Sequence, residues 1–270
     1  MKPIDRQTIL ITGATDGIGR IAALKLAELK AHVLVHGRNK EKLTKTVNEI
    51  KIKSGNENIN GLLADFSSLT EVRRLADDVL AKYSKLDVLI NNAGVGFADE
   101  RKSKDGFELR FAVNYLAPFL FTSLLLPALK SASPARIVNV SSAGQSSVNF
   151  EDVMLEKKFD AVKAYCQSKL ALIMFSLDLA EQLKDANITV NSLHPGTYLD
   201  TNMVRRSNIT PMGKPESGAD AEIYLAVSPA LEGVTGKYFN VKTEAKADRQ
   251  AYDKNARNRL KELSAQLVNL

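Results

Sequence analysis

The feature that most constrains the fold of this 270-residue chain is a glycine-rich turn near its N-terminus. A short apolar run, Gln7 to Thr12, stops at the sequence GATDGIG of residues 13–19, and a helical stripe of apolar residues follows from Ile21 to Leu29. The segment His32 to His36 then reads as a second buried strand. Strand, glycine turn, helix and strand form a βαβ unit, and its crossover requires a parallel sheet.

Strands and helices alternate along the rest of the chain. Further strands are predicted at Ile59–Ala64, Asp87–Ile90, Arg136–Val140, Thr189–Leu193 and Lys237–Val241. Further helices are predicted at 39–53, 68–83, about 105–130, around 165, 217–227 and 244–267. Ser68 and Glu71 match a capping box at the start of one of them. Seven strands interleaved with helices predict an α/β protein. Residues 1–270 should form a single-domain Rossmann fold, a doubly wound seven-stranded parallel sheet with helices on both faces.

Two long irregular stretches, residues 145–163 and 197–216, interrupt this alternation. Long loops in compact α/β domains are usually functional, so we predict that both are substrate loops. Four apolar residues of the second stretch would suit an apolar substrate, although they could also simply pack the loop down: Met203, Val204, Ile209 and Met212.

Composition and charge exclude several classes of protein. The net charge is +6, but the lysines are scattered among glutamates and tryptophan is absent, which argues against nucleic-acid binding. His32, His36 and His194 are dispersed and offer no metal-ligand spacing, so no metal site is predicted. The single cysteine, Cys166, cannot form an intrachain disulfide and fits a reducing compartment.

The chain offers no segment that we expect to enter a membrane. The first strand begins too close to Met1 for a signal peptide to precede it. The longest apolar run, Leu116 to Leu129, is short and is interrupted by Pro118 and Pro127, so it should not cross a bilayer. We therefore expect a cytoplasmic protein without a membrane anchor.

The glycine turn has the chemistry of a dinucleotide site. The N–H groups at a helix N-terminus attract phosphate, and glycines let the backbone approach a pyrophosphate closely. An NAD-preferring site places an acid at the end of the second strand to bind the ribose 2′-hydroxyl, whereas this chain has Gly37 and Arg38 there. Arginine can bind a 2′-phosphate bidentately. We therefore predict NADP(H) as the cofactor.

Tyr165 and Lys169 form a candidate acid/base pair. They are four residues apart in a predicted helix, so their side chains share one face. A tyrosine titrates near pH ~10 in water, and a neighbouring ammonium lowers that value by stabilising the phenolate. The pair could therefore transfer a proton at neutral pH.

Several motifs of the chain resemble those of the short-chain dehydrogenase/reductase family, over nearly the whole length. Residues 12–19 are similar to the family's cofactor loop, and Asn91-Asn92-Ala93-Gly94 to its structural motif. Residues 139–142 resemble the strand end that carries its serine, and Pro195-Gly196 its turn beside the nicotinamide. The long insertion at 145–163 and the ending at 258–264 look more like the retinol-dehydrogenase-like branch.

The resemblance implies a set of site residues. Its catalytic set is Asn114, Ser142, Tyr165 and Lys169, with Ser141 as the alternative hydroxyl. With the glycine turn and Arg38, the predicted cofactor contacts are Gly13, Thr15, Asp16, Gly17, Ile18, Gly19, Arg38, Asp65, Asn92 and Lys169. By resemblance Asp65 contacts the adenine, Asn92 lies at the adjoining ribose region, and Lys169 contacts the nicotinamide ribose. Asn114 would hold a water that links Lys169 to solvent.

These predictions combine into an NADPH-dependent oxidoreductase that interconverts a small-molecule carbonyl and its alcohol, with Tyr165 as general acid/base. Two alternatives stay open. One is a non-catalytic NADP(H)-sensing binding protein, and the other is a nucleotide-sugar epimerase, which also uses a Tyr-x-x-x-Lys pair. A homo-oligomer is possible because relatives often pair through the long helices at about 105–130 and 161–183. That expectation is by analogy alone.

Overall fold

The βαβ unit predicted around the glycine turn lies inside a single sheet. The computed structural model describes residues 1–96, 100–207 and 209–270, so residue 208 of the predicted second substrate loop lies outside the described residues. The sheet has eight strands in the order β3-β2-β1-β4-β5-β6-β7-β8. They are β1 Thr8–Ile11, β2 His32–Gly37, β3 Ile59–Leu63, β4 Val88–Asn91, β5 Ala135–Val140, β6 Ile188–His194, β7 Lys237–Asn240 and β8 Thr243–Ala245. All neighbouring pairs are parallel except β7 with β8.

The predicted doubly wound Rossmann architecture is confirmed, because helices cover both faces of this sheet. The helices are α1 Gly17–Glu28, α2 Lys40–Ser54, α3 Leu69–Lys82, α4 Leu109–Phe111, α5 Ala117–Ala132, α6 Ala161–Gln182, α7 Asn202–Arg206, α8 Pro215–Val227 and α9 Lys254–Val268. One core packs α3, α5, α6 and α9 against the sheet, and the other packs α1, α2 and α8 against the opposite face. Ile9, Leu10 and Ile11 of β1 are apolar because the strand is buried on both faces. Ile9 and Ile11 enter one core, and Leu10 enters the other.

The seven-stranded prediction is wrong by one strand because the C-terminal region was predicted as a helix over 244–267. Val241 has a positive φ of 57°, and the chain turns back there so that β8 pairs antiparallel with β7. A 3₁₀ turn follows at Arg249–Tyr252. Helix α9 begins only after Asp253, whose carboxylate accepts hydrogen bonds from the Asn255 and Ala256 amides.

Helix α9 packs against the helices that the family resemblance assigns to pairing between copies. The Tyr115 hydroxyl lies 2.6 Å from Ser264 Oγ, and Arg257 donates to Glu181 at 2.7 Å. Leu260 of α9 is buried in the same core as α5 and α6. Part of the surface expected to bind a second copy is therefore covered by the chain itself.

The long helical region predicted at 105–130 spans Leu109–Ala132. It starts late because the Glu108 carboxylate caps the Phe111 amide at 2.7 Å, and it contains a π-helical turn at Ala112–Leu116. Pro127 lies inside it without ending it. The region is long and apolar enough to cross a membrane, and 78% of its most apolar window is buried inside the fold. The absence of a membrane anchor stays a prediction.

The predicted capping box at the start of α3 is only half formed. Ser68 Oγ accepts from the Glu71 amide at 3.4 Å, as predicted. The Glu71 carboxylate does not return to Ser68, because one oxygen accepts from the Asp65 amide at 2.8 Å and the other from Lys104 at 2.8 Å. Glu71 therefore stabilises the segment after β3, where a cofactor contact was predicted.

Candidate active site

The glycine turn lies against the segment that follows β4, at the carboxyl end of the sheet. Gly13 has a φ of +65°, and a Cβ there would come within 2.7 Å of Ala93 Cα. A Cβ on Gly19 would overlap the side chain of Asn92. Helix α1 begins at Gly17, whose amide donates to the Asp16 carboxylate, and the Ile18 and Gly19 amides have no partner within the helix. These glycines create the close backbone approach that a dinucleotide pyrophosphate requires.

Asn92 and Thr12 hold the turn in place. Asn92 Nδ2 donates to the carbonyl oxygens of Thr12 and Gly13 at 2.8 and 3.1 Å. Thr12 Oγ1 accepts from the Asn92 and Ala93 amides at 3.0 and 2.9 Å. Asn92, predicted as a cofactor contact, therefore supports the turn through its side chain.

His36 was not predicted as a site residue, but its side chain contacts the glycine turn. Its Nδ1 accepts from the Gly13 amide at 3.1 Å, and its Nε2 lies 3.0 Å from the Ala64 carbonyl, to which it therefore donates. Burial lowers the pKa of His36 to about 4, so the ring is neutral at neutral pH. The signal in the sequence was a histidine at the buried carboxyl end of β2, directly after three apolar residues.

The predicted adenosine-side residues lie at the ends of β2 and β3. Arg38 follows β2, is exposed, and makes no hydrogen bond or ion pair with any residue that the structure describes. The Thr15 side chain packs against Gly37, and a Cβ added to Gly37 would overlap that side chain. Asp65 follows β3 and accepts from the Ser67 amide at 3.0 Å and from Lys104 at 3.1 Å. Burial would raise the pKa of Asp65, but these hydrogen bonds outweigh it and lower the pKa.

Asp16 joins the cofactor turn to the second predicted substrate loop. Its carboxylate caps Gly17 at 2.8 Å, accepts from Lys42 at 2.7 Å, and accepts from Asn202 of α7 at 2.8 and 3.0 Å. Burial would raise the pKa of Asp16, but hydrogen bonds from Lys42, Asn202 and Gly17 lower it overall. Ile18 lies in the first turn of α1, beside Gly218 of α8.

The predicted acid/base pair faces the same end of the sheet from α6. Lys169 is 4% exposed, and its Nζ donates to the Val140 carbonyl at 2.9 Å and lies 5.8 Å from the centroid of the Tyr165 ring. The two side chains therefore share one helix face, as predicted. Burial lowers the pKa of Lys169 to about 8.

The two serines after β5 have different surroundings. Ser141 Oγ donates to the Lys169 carbonyl at 2.7 Å, which engages it with the backbone of α6. Ser142 Oγ accepts from the Gly144 amide at 3.0 Å and also hydrogen-bonds the Tyr165 side chain. Burial raises the pKa of Tyr165, and the Ser142 hydrogen bond opposes this only in part. The sequence predicted that the lysine lowers the tyrosine pKa, whereas desolvation raises it and keeps the phenol protonated.

Asn114 lies in the π-helical turn, fully buried. Its Oδ1 accepts from the Val95 amide at 2.8 Å, and its Nδ2 donates to the Val95 carbonyl and to Ser168 Oγ at 3.0 and 2.9 Å. A Cβ on Gly94 would lie 3.2 Å from Asn114 Oδ1 and 3.4 Å from Lys169 Nζ. Asn114 and Lys169 therefore border the same small space.

Cys166 lies beside Gly144. A Cβ added to Gly144 would be 3.3 Å from Cys166 Sγ and 3.5 Å from Ser142 Oγ. The thiol is half-buried, and burial raises its pKa. It is therefore a poor nucleophile.

The two predicted substrate loops flank this site. In the first, Val148 and Leu155 are buried, and the Val148 amide donates to Gln250 at 2.6 Å. In the second, Met203 packs against Gly96, where a Cβ would be 3.0 Å from its Cγ. Met212 in this second loop is 74% exposed.

Comparison with known proteins gives consistent matches. The model for short chain dehydrogenases matches residues 7–211. Retinol dehydrogenase 13 of Mus musculus is 36% identical over 285 residues, covering 99% of this chain and 85% of that protein. Polyprenol dehydrogenase of Homo sapiens is 36% identical over 286 residues, covering 99% and 87%.

Solved structures agree with these matches. The RhlG/NADP active-site complex of Pseudomonas aeruginosa has a TM-score of 0.71 at 29% identity, covering 89% of this chain and 97% of that one. The 3-ketoacyl-(acyl-carrier-protein) reductase of Brucella melitensis, complexed with NADH, has a TM-score of 0.70 at 26% identity, covering 88% and 97%.

Proposed function

Because this chain belongs to the short-chain dehydrogenase family, in the retinol-dehydrogenase-like branch, we propose that it is an NADP(H)-dependent oxidoreductase interconverting an aldehyde or ketone and its alcohol. The observation that carries the proposal is the convergence of Ser142, Tyr165, Lys169 and Asn114 beside the glycine turn. A phenol and a hydroxyl can protonate and bind a carbonyl oxygen, and a nearby ammonium can stabilise the phenolate that remains.

The cofactor proposal depends on the glycine turn and on Arg38. The solved relatives are complexes with NADP and with NADH, which supports a nicotinamide dinucleotide in this chain. The turn fits such a group, because Gly13 and Gly19 leave no room for side chains and α1 begins at its edge. The exposed Arg38 guanidinium supports NADP(H), because it is available to a 2′-phosphate.

The side chains support a mechanism for carbonyl reduction. When bound, the reduced dinucleotide supplies a hydride to the carbonyl carbon. Tyr165 donates its phenolic proton to the carbonyl oxygen, and its raised pKa keeps that proton present at neutral pH. Ser142 Oγ turns its single O–H from Tyr165 to the same oxygen and donates a hydrogen bond to it. The Lys169 ammonium then stabilises the phenolate left on Tyr165.

The surroundings of the site support an apolar substrate. Tyr198, Met203 and Met212 in the second loop are 45%, 40% and 74% exposed, and Val162 at the start of α6 is 56% exposed. Exposed apolar groups grouped near one site mark a surface that binds an apolar partner. The two curated relatives are named for retinol and polyprenol, which are alcohols with long apolar chains. We propose an apolar aldehyde or ketone as the substrate class.

The test is NADPH consumption by purified protein with retinal, decanal and an apolar ketone, against glyoxylate as a charged aldehyde. We expect turnover of the apolar compounds, and Tyr165→Phe should lower kcat by at least about 100-fold while NADPH still binds. Tyr224→Phe, which removes a phenol hydroxyl on α8, is the matched control and should keep activity. Retained turnover in Tyr165→Phe would refute the mechanism. NADPH binding without turnover of any carbonyl by the unmodified protein would favour the sensor instead.

A further inference from the structure

A cavity of about 260 Å³ lies between helices α5, α6 and α9, and the proposed mechanism does not use it. None of the described residues that line it belongs to the predicted catalytic or cofactor set. Its walls are apolar and consist mainly of five buried side chains: Phe119, Met174, Phe175, Leu179 and Leu260. The cavity is therefore a second place, apart from the candidate active site, where an apolar molecule could be enclosed.

Arg257 of α9 brings an unused hydrogen-bond donor to this cavity. The side chain lines the cavity and is 5% exposed. Its terminal nitrogens are engaged, because Nη1 donates to the Ala251 carbonyl at 3.2 Å and Nη2 donates to Glu181 at 2.7 Å. Its Nε is buried and has no acceptor in the part of the chain that the structure describes. A buried donor without an acceptor costs free energy, so this nitrogen indicates an acceptor that enters the cavity.

The charged groups around the cavity are already paired with one another. Arg257 binds Glu181, and Lys261 Nζ lies 3.9 Å from an Asp178 oxygen. Asp178 also accepts a hydrogen bond from Gln182. A charged ligand would meet a group of its own sign beside each group of opposite sign, and its burial would not be compensated. The balanced charges favour a neutral head group that carries an acceptor oxygen.

The volume of the cavity limits the size of the ligand. An apolar protein cavity of roughly 150 Å³ holds one benzene molecule, which has six carbon atoms. By the same ratio, a cavity of about 260 Å³ holds roughly ten non-hydrogen atoms. Octanamide, a neutral eight-carbon amide, has this size and carries an acceptor oxygen.

We propose that this cavity is a binding site for a neutral single-chain molecule of medium length, whose head-group oxygen accepts a hydrogen bond from Arg257 Nε. The chain of the ligand lies against the rings of Phe119 and Phe175, whose centroids are 5.2 Å apart, and against Leu260. The site does not overlap the candidate active site, and the inference does not rest on the proposed function.

The position of binding can be tested by NMR on protein labelled with ¹³C at the methionine methyl groups. Met174 lines the cavity, whereas Met203 lies in the second substrate loop. Octanamide is the probe, because it contains no alcohol, aldehyde or ketone group. It should shift the Met174 resonance, identified by its loss in Met174→Leu, and leave the Met203 resonance in place. An unshifted Met174 resonance at saturating octanamide would overturn the proposal.

The role of Arg257 can be tested by changing the donor and the head group. Arg257→Lys keeps the charge but removes the Nε donor, and it should raise the Kd for octanamide about 10-fold. Arg259→Lys makes the same change at an exposed residue of α9 and should leave the Kd unchanged. Octylammonium has a similar chain and no acceptor, so it should bind at least about 10-fold more weakly than octanamide. Equal binding of the two compounds, or an equal loss in both lysine variants, would overturn the proposal.

A cavity-filling variant tests the site without removing Arg257. Ala265 lines the cavity and is half-buried, so Ala265→Phe should fill part of the space and abolish the Met174 shift. Gln266→Phe adds the same ring at the exposed neighbouring position and should keep the shift. A Met174 shift that survives Ala265→Phe would overturn the proposal. A protein that sediments as a dimer with Met174 insensitive to octanamide would also overturn it, because a second copy would then fill the cavity.

Discussion

Glu222 of α8 is 0% exposed, and neither of its carboxylate oxygens has a hydrogen-bond partner among the described residues. Its burial makes a quantitative prediction about stability. Glu222→Gln should raise the free energy of unfolding at neutral pH, because the variant no longer needs a proton to fold. Glutamine is nearly isosteric with a protonated glutamic acid and similarly polar, so the replacement leaves the packing of α8 unchanged. The gain should depend on pH, which distinguishes it from an ordinary packing effect.

Its magnitude follows from the pKa, which burial raises from 4.5 in the unfolded chain to about 8 in the folded protein. Between these values the folded state holds a proton that the unfolded state releases, so the stability of the original protein falls as the pH rises. At about 1.4 kcal/mol per pH unit, the cost is roughly 3 kcal/mol at pH 7. We expect a gain of about 3 kcal/mol, or roughly 7 °C in Tm for a chain of this size.

The assay is urea unfolding followed by circular dichroism at pH 4.5, 6, 7 and 8, for the original protein, Glu222→Gln and Asp220→Asn. The gain in Glu222→Gln should be near zero at pH 4.5 and grow steadily to pH 8. Asp220→Asn should show no such growth, since Asp220 is 43% exposed and pairs with Lys25. A loss of stability in Glu222→Gln at pH 7, or a gain independent of pH, would refute the assignment of Glu222 as a protonated buried acid.

Two further predictions concern the cofactor end of the site. Arg38→Asp should shift preference from NADPH toward NADH, measured as the ratio of kcat/KM for the two cofactors, and an unchanged ratio would make Arg38 a bystander. Burial lowers the pKa of His36 from 6.5 to about 4. Between these two pH values the ring is protonated in the unfolded chain and neutral in the folded protein. Between pH 7 and pH 5 the original protein should therefore lose roughly 2 kcal/mol more unfolding free energy than His36→Gln, and equal losses in urea titrations would contradict this.

The sequence predicted the parts of the fold that depend on local pattern. The strand, glycine turn and helix from Gln7 to Leu29 were predictable because buried parallel strands are apolar on both faces and the turn requires glycine. The C-terminal region was not, because β8 forms only by pairing with β7, and a three-residue strand leaves too weak a pattern to read.

The residues of the candidate site also differ in how far the sequence alone could predict them. Tyr165 and Lys169 are fixed by helical spacing, so their common face was predictable. The distinction between Ser141 and Ser142 needed the structure, because only the tertiary arrangement shows one hydroxyl bonded to the Lys169 backbone and the other to Tyr165. Glu222 was missed, although a glutamate among the small apolar residues of α8 was a readable signal. That it is buried without a hydrogen-bond partner among the described residues follows only from the packing of α8 on the sheet.

Helix α9 has a consequence for how the chain folds as it is synthesised. It follows every strand of the sheet in sequence, yet it contacts Tyr115 and Glu181 and places Leu260 in the core shared with α5 and α6. At a synthesis rate of about 5–20 residues per second, the apolar faces of α5 and α6 stay uncovered for several seconds before α9 emerges. The nascent protein therefore passes through a stage with a complete sheet and an open core, and that stage is the one at which a chaperone would bind or aggregation would begin.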